Sequence, residues 1–282
     1  MVTGAVAPGS LYLVATPIGH LGDLSPRAAE ILGGVDVVLA EDTRHTRPLL
    51  THLGLATPLE AVHAHNERET AARLVARLVA GASAALVSDA GTPLVSDPGA
   101  VLVAAAIEAG VPVVPVPGPS AVLAALTGSG LPAVPFTFFG FLPRKGPERR
   151  ERLADLGALR HTAVVYESPQ RLGETLADLS SAGLGGRRAA VARELTKKFE
   201  EFRRGTVDDL AAYYAGTPPR GEVVLVLEGG APPAPADAAT IAAAVADLRR
   251  AGRDSRTIQS ELMDRFGLSR NAAYRAAHAE EG

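Results

Sequence analysis

The fourteen residues from Leu86 to Gly99, LVSDAGTPLVSDPG, set two aspartates, two serines, a threonine, two glycines and two prolines directly after a short apolar run. Carboxylates there can accept protons, hydroxyls can hold the polar edges of a ligand, and glycine lets a ligand approach the backbone closely. A loop of this kind at a strand's end is where parallel α/β sheets bind ligands, although an ordinary surface turn has a similar composition. His63-Ala64-His65 puts two imidazoles on one side of an extended segment. No third ligand follows at convincing spacing, so no metal is assigned and a polar cleft lining is the expected role. The chain contains no G-x-G-x-x-G after its first apolar run, no G-x-x-x-x-G-K-[ST], no H-E-x-x-H and no G-x-S-x-G. It therefore lacks the signatures of dinucleotide, P-loop, zincin and α/β-hydrolase sites.

The elements that must position these residues follow from apolar periodicity. Leu11 to Ala15, Val35 to Ala40, Ala84 to Val87 and Val113 to Val116 read as strands. Between them lie Ser25-Pro26-Arg27, a cap followed by proline in a first helical turn, and a helix from Glu67 to Ala80. This βαβ alternation predicts a mostly parallel sheet covered by helices. A second, similar unit begins near Phe139. Its strands are expected at Thr162 to Tyr166, Arg188 to Ala192, Glu201 to Arg204 and Gly221 to Leu227, and its helices at Pro147 to Leu156, Pro169 to Ser181 and Val207 to Tyr214. The run GGAPPAP at 229–235 reads as a proline-stiffened linker. Three helices follow, over Ala238 to Arg250, Ser255 to Phe266 and Ser269 to His278. The expected organisation is α/β: an N-terminal domain at 1–138, a second at 139–229 with a cleft between them, and a linker with a helix-turn-helix-like module at 230–282.

Composition narrows the classes. With 282 residues, 47% hydrophobic and 21% charged, the chain belongs with globular proteins. The absence of cysteine excludes disulfides, thiolate metal sites and cysteine nucleophiles. The N-terminus lacks the pattern of a signal peptide, so a cytoplasmic location is expected. The uncharged window between Glu108 and Arg144 is interrupted by seven prolines and five glycines, which argues for buried strands and loops rather than a membrane span. A net charge of −3 gives no global attraction to nucleic acid. Locally, Arg144 to Arg152 holds five basic and two acidic residues, and Arg249 to Arg256 four and one. Such clusters can contact phosphates or simply solvate a helix face.

Five further segments repeat the pattern of polar or small residues after an apolar run: TPIGHLGD from Thr16, EDTR from Glu41, PGPSA from Pro117, ESPQR from Glu167 and RELTKKFEE from Arg193. Together with SDAGTP they resemble the tetrapyrrole methylase superfamily, in the bacterial branch that methylates the 2′-oxygen of a cytidine in 16S ribosomal RNA. The likeness runs from Leu11 to the C-terminal helices, with His20 where asparagine is more usual. It implies two α/β domains, a homodimer, the small ribosomal subunit as partner, no membrane, and S-adenosylmethionine in the cleft. It also implies cofactor contacts at Pro17, Ala90, Gly91, Thr92, Val95, Ser120 and Ala121 from the first domain. The second domain is expected to add Tyr166, Glu167, Leu195 and the Gly221-Glu222 neighbourhood.

Methyl transfer from a sulfonium is an in-line displacement, so orientation of the acceptor should dominate. A ribose hydroxyl also gains from loss of its proton. Asp89 is the first candidate base and Lys197 the second, with Glu41, Asp42 and Glu167 behind them; each could instead be a loop hydrogen-bond partner. Arg44, Arg171, Arg193, Lys197 and Lys198 are expected to hold RNA phosphates, or else to pair with nearby glutamates. Two rival readings stand beside this one. The same fold could methylate a small tetrapyrrole or corrinoid precursor, or the chain could be a non-catalytic nucleic-acid-binding regulator acting through its C-terminal helices.

Overall fold

The computed structural model describes residues 6–62, 67–230 and 237–279. The chain divides into two compact units, Met1–Glu228 and Gly229–Gly282. Among the described residues no helix is long and apolar enough to cross a membrane.

The first unit holds two five-stranded sheets. In one, β1 (Leu11–Val14), β2 (Val37–Ala40), β3 (Leu59–Ala61), β4 (Ala84–Val87) and β5 (Val113–Val116) lie in the order β3-β2-β4-β1-β5, with every neighbouring pair parallel. Both faces are buried, which is why these strands are apolar almost throughout. Leu11, Leu39 and Leu86 enter a core with Leu74 and Leu78 of α3 (Glu67–Val79) and Leu102 of α4 (Ala100–Glu108). Tyr12, Val38 and Val87 face the other way, toward Ile31 and Leu32 of α1 (Pro26–Gly34) and Leu50 of α2 (Thr43–His52). Ser25 caps α1 by accepting a hydrogen bond from Ala28 N at 3.1 Å, with Pro26 in the first turn.

The second sheet departs from the expected repeat of the first. Here β6 (Phe136–Phe141), β7 (Thr162–Glu167), β8 (Arg188–Arg193), β9 (Glu201–Thr206) and β10 (Val223–Leu227) take the order β6-β7-β10-β8-β9. Only β6 and β7 are parallel; β10 runs antiparallel to both β7 and β8, and β8 to β9. Residues 194–200 are too few for the crossover that a parallel β8–β9 pair would need, so the chain turns back instead. One face is covered by α6 (Pro147–Ala158), α7 (Pro169–Leu179) and α8 (Val207–Tyr214), through Leu156, Leu172, Leu176 and Leu210. The other face receives α5 (Ala121–Gly128), whose Val122, Ala125 and Leu126 pack on Val164, Ala190, Val224 and Val226.

That packing ties the sheets together, because α5 starts where β5 of the first sheet ends. It also sets the chemistry-bearing ends side by side. The first sheet gathers the loops after β1, β2, β4 and β5 along its carboxyl edge. In the second, β7 and β8 share one direction, so their carboxyl ends flank the amino end of β10, with Val223 opposite both Glu167 and Arg193.

The second unit is three helices, α9 (Ala238–Arg250), α10 (Ser255–Phe266) and α11 (Arg270–His278), capped by Asp237, Asp254 and Ser269. Ala244, Val245, Ile258, Leu262, Ala273 and Ala277 form its own small core. Gly267 ends α10 in the left-handed region at φ 64°, where glycine carries no Cβ penalty.

Candidate active site

The loops of both sheets enclose a cavity of about 410 Å³. The first sheet lines it with Ile18, Asp89, Ala90, Thr92, Val95, Ser96, Asp97, Ser120 and Ala121. The second contributes Phe141, Tyr166, Glu167, Ser168, Pro169, Glu222, Val223 and Val224. This volume suits a small-molecule ligand, and the mixed apolar and acidic wall suits one that carries a positive charge.

Within the β4 loop, Gly91 exchanges two backbone hydrogen bonds with Thr16, at 2.9 and 3.0 Å, which fasten it to the end of β1. Gly91 has φ 85°, a conformation that favours glycine, and a Cβ there would stand a tight 3.3 Å from Ile18 Cγ2. Thr92 Oγ1 donates to Pro119 O at 3.1 Å and joins the β4 and β5 loops. Leu94 and Ser96 also adopt positive φ, 71° and 76°, and this strained turn carries Asp97 back into the cavity wall. Asp89 lies at the rim. Its carboxylate accepts from Asp42 N at 3.2 Å and meets His45 Nδ1 at 3.1 Å.

Across the cavity, Glu167 is fully buried. Its carboxylate accepts hydrogen bonds from Ser168 N at 2.8 Å and Thr175 Oγ1 at 2.6 Å, and it pairs with Arg171 at 2.5 Å. Lys197 Nζ sits between Glu194 at 3.0 Å and Glu222 at 2.7 Å. Burial alone would lower the lysine's pKa, but the hydrogen bonds to Glu222 and Glu194 outweigh it and hold the ammonium above its ordinary range. A neutral lysine ready to take a proton is thus disfavoured. Glu194 and Thr196 have positive φ, 51° and 63°, and Thr196 Oγ1 accepts from His20 N at 3.0 Å. The loop after β8 therefore clasps the loop after β1, and Gly19 leaves the room this needs: a Cβ there would lie 2.8 Å from Thr196 Oγ1.

The structure thus brings Asp89, Ala90, Thr92, Val95, Ser120, Ala121 and Glu167 into one wall. Four of the expected cofactor residues stand behind or beside it. Gly91 gives its backbone to Thr16, and Leu195 is buried among Ile18, Val122 and Val224. Gly221, at φ 84°, makes way for the Glu194 side chain, while its neighbour Glu222 reaches the cavity. Pro17 lines an adjoining cavity of about 190 Å³ with His45, Ser88 and Asp89. His63 and His65 lie outside the described residues. Among the described residues no group of three or more His, Asp or Glu side chains could hold a metal.

The five basic candidates separate by environment. Arg171 and Arg193 are engaged inside the fold: Arg171 with Glu167 and Leu142 O, Arg193 with Glu201 at 2.9 Å and Arg220 O at 3.3 Å. Arg44 makes a two-point pair with Asp42, yet its side chain remains 88% exposed. The Arg44 side chain and amide together hold the Asp42 carboxyl well below its usual range. Lys198 is exposed, with its ammonium 5.6 Å from the Phe199 ring centroid.

One functional candidate went unread in the sequence. Burial, with Glu41 and Asp89 as like-charged neighbours, pushes the Asp97 carboxyl up to about 6. Burial also raises the Tyr166 hydroxyl to about 12, with Asp97 and Glu222 adding to it. The doubled Ser-Asp, at Ser88-Asp89 and Ser96-Asp97, was the available signal. The place of Asp97 in the cavity wall, on a turn with positive φ at Leu94 and Ser96, is visible only in the structure.

The comparisons with known proteins meet this geometry. A family model described as Tetrapyrrole (Corrin/Porphyrin) Methylases matches residues 10–211. A ribosomal RNA small subunit methyltransferase I of Xylella fastidiosa (strain 9a5c) is 54% identical over 226 residues, 79% of this chain and 83% of the relative. The protein of the same name from Pseudomonas aeruginosa is 44% identical over 280 residues, 98% of this chain and 99% of the relative. Among solved structures, the uroporphyrin-III C-methyltransferase of Thermus thermophilus complexed with S-adenyl homocysteine aligns with a TM-score of 0.55 at 23% identity, covering 78% of this chain and 97% of that one. The chain belongs to the tetrapyrrole methylase family, with relatives named ribosomal RNA small subunit methyltransferase I that span nearly its whole length.

Proposed function

We propose that the protein is an S-adenosylmethionine-dependent methyltransferase that modifies the ribose 2′-oxygen of a cytidine in 16S ribosomal RNA. The observation that carries this reading is the cavity of about 410 Å³ built jointly by the carboxyl-end loops of the first sheet and by the carboxyl end of β7 and the amino end of β10 in the second, in a chain so close to relatives named for small-subunit rRNA methylation. The wall fits the cofactor: its volume suits a nucleoside-sized ligand, and Asp89 and Glu222 supply negative charge for a sulfonium. When bound, S-adenosylmethionine supplies an activated methyl group.

The chain's own residues bind and orient. Ala90, Thr92, Val95, Ser120, Ala121 and the Glu167 end of β7 form the cofactor wall, and Pro17, Gly91, Leu195 and Gly221 hold it in shape. Arg44 and Lys198, which project outward, are suited to RNA phosphates. Arg171, Arg193 and Lys197 act on RNA indirectly, by fixing the loops around the cavity. Asp89, at the rim between two cavities, is suited to position the acceptor through its bonds to Asp42 and His45. The chain works in the cytoplasm as a homodimer of two-lobed protomers, each with lobes at 1–138 and 139–229 and a helical module at 230–282.

The test is mass mapping of small-subunit rRNA from cells with and without this protein, joined to calorimetry with S-adenosylmethionine. Loss of one cytidine 2′-O-methyl group in its absence, and binding of one cofactor per cavity, is the expected result. Cofactor binding with unchanged rRNA would turn the reading toward a small-molecule acceptor. No cofactor binding would favour a non-catalytic regulator.

A further inference from the structure

Asp97 stands in the wall of the shared cavity, which Thr92 and Ser120 also line, on a turn that contains two residues at positive φ. The competing acids and bases are otherwise committed. Glu167 is buried against Arg171, Thr175 and Ser168 N; Asp89 accepts from Asp42 N and meets His45; Lys197 is clamped between Glu194 and Glu222. What acts on Asp97 is burial and repulsion, from Glu41 at the end of β2 and Asp89 at the end of β4.

We propose that Asp97 is the general base of the methyl transfer, taking the proton of the acceptor hydroxyl inside the cavity. This rests on the methyltransferase reading above and adds the residue that completes it. The acceptor O–H bond breaks and its proton passes to Asp97. The oxygen forms a bond to the methyl carbon, the methyl–sulfur bond breaks with its electron pair left on sulfur, and the positive sulfonium becomes a neutral thioether. Asp97 then releases the proton to water.

The groups facing Asp97 fix the sign of its pH dependence. Glu41 and Asp89 repel its charge, while Tyr166 on β7 and Glu222 before β10 lie across the cavity and His45 on α2 reaches Asp89. With the carboxyl held near 6, activity should fall as pH drops through that value and hold steady above it. The side chain is ionised at neutral pH and still basic enough to attract a proton, a balance that an ordinary carboxylate at 3.8 lacks.

The test compares the full-length protein with Asp97→Asn and Asp97→Glu. Single-turnover methylation of small-subunit particles lacking the modification is measured from pH 5 to 9, with calorimetric affinity for S-adenosylmethionine and denaturant unfolding of the free protein. Asp97→Asn should slow transfer about 10²- to 10⁴-fold, remove the acidic limb and leave cofactor affinity within about twofold. Asp97→Glu, which keeps the base but moves it, should recover part of the rate with the limb. The free protein gives a readout that needs no catalysis. A raised carboxyl pKa favours the folded state below 3.8 and loses that advantage as pH climbs through about 6, and Asp97→Asn should abolish this change. A variant that transfers methyl at the wild-type rate, keeps the acidic limb, or loses cofactor affinity in parallel with rate overturns the proposal. A wild-type protein that binds the cofactor but leaves the particles unmethylated overturns the rRNA reading itself, and the role of Asp97 falls with it.

Discussion

An ionised carboxylate taken out of water needs a partner, and Glu167 finds one in Arg171, the glutamate pairing that stood beside a phosphate contact as a role for that arginine. Arg171 follows a strand end in a motif that invites a phosphate-binding role, yet its guanidinium neutralises a fully buried glutamate and holds Leu142 O at 3.2 Å. Replacing it with methionine would strand the Glu167 charge. We expect Arg171→Met to lower unfolding free energy by about 3–5 kcal/mol in a urea titration, the cost of breaking a buried pair from one side. A purely RNA-binding arginine would leave that titration unchanged. The motif residues themselves were legible because small, polar and proline residues after apolar runs mark strand-end loops. Their roles were not, because pairing depends on which strand end comes to lie beside which. Asp97 shows the same dependence: the sequence displays the aspartate, but its place in the cavity wall follows from the path of the folded loop, with Leu94 and Ser96 at positive φ.

At the scale of elements, the cavity has a polar brace behind it. Arg149 of α6 is buried and reaches Asp178 at 2.7 Å, Thr175 Oγ1 at 3.0 Å and Pro143 O at 3.0 Å; Thr175 in turn donates to Glu167. The chain of bonds runs from α6 through α7 to the end of β7. The basic run from Arg144 to Arg152 had suggested either phosphate contacts or a solvated face, but its central arginine stiffens the protein's interior. Arg149→Ala should cost about 2 kcal/mol in stability, the worth of charge-assisted bonds in a buried setting, and raise the cofactor dissociation constant by loosening β7. Differential scanning calorimetry and isothermal titration check the two halves of that expectation. Most helix ends and the parallel first sheet could be read from caps and apolar runs. The edge strand β3 could not, since three residues carry no period. Nor could the antiparallel pairs of the second sheet, because strand direction is set by connection length and by where β10 inserts, neither of which leaves a mark on periodicity.

For the whole molecule, two compact units with separate cores imply separable tasks. Met1–Glu228 contains every residue that lines the cavity, and the C-terminal helices bury their own Ile258 and Leu262. Ending the chain after Gly229 should leave cofactor affinity nearly intact. It should weaken rRNA binding about tenfold and flatten its salt dependence, if Arg249, Arg250, Arg253 and Arg256 reach phosphates. Filter binding across a salt series measures both. Equal loss of cofactor and RNA affinity would instead assign the helices a folding role.

The place of β10 carries one more consequence. Among the described residues it is the last strand, and it is the central one in its sheet, with β7 and β8 on either side. During synthesis, those two strands leave the ribosome with their inner edges bare and must wait for residues 223–227 before either can be satisfied. A nascent chain stalled short of that point holds every strand of the first sheet and four of the second sheet's five, split into two pairs with exposed edges that can template aggregation. Completion of the cavity wall and protection from misassembly therefore arrive together, with the same five residues.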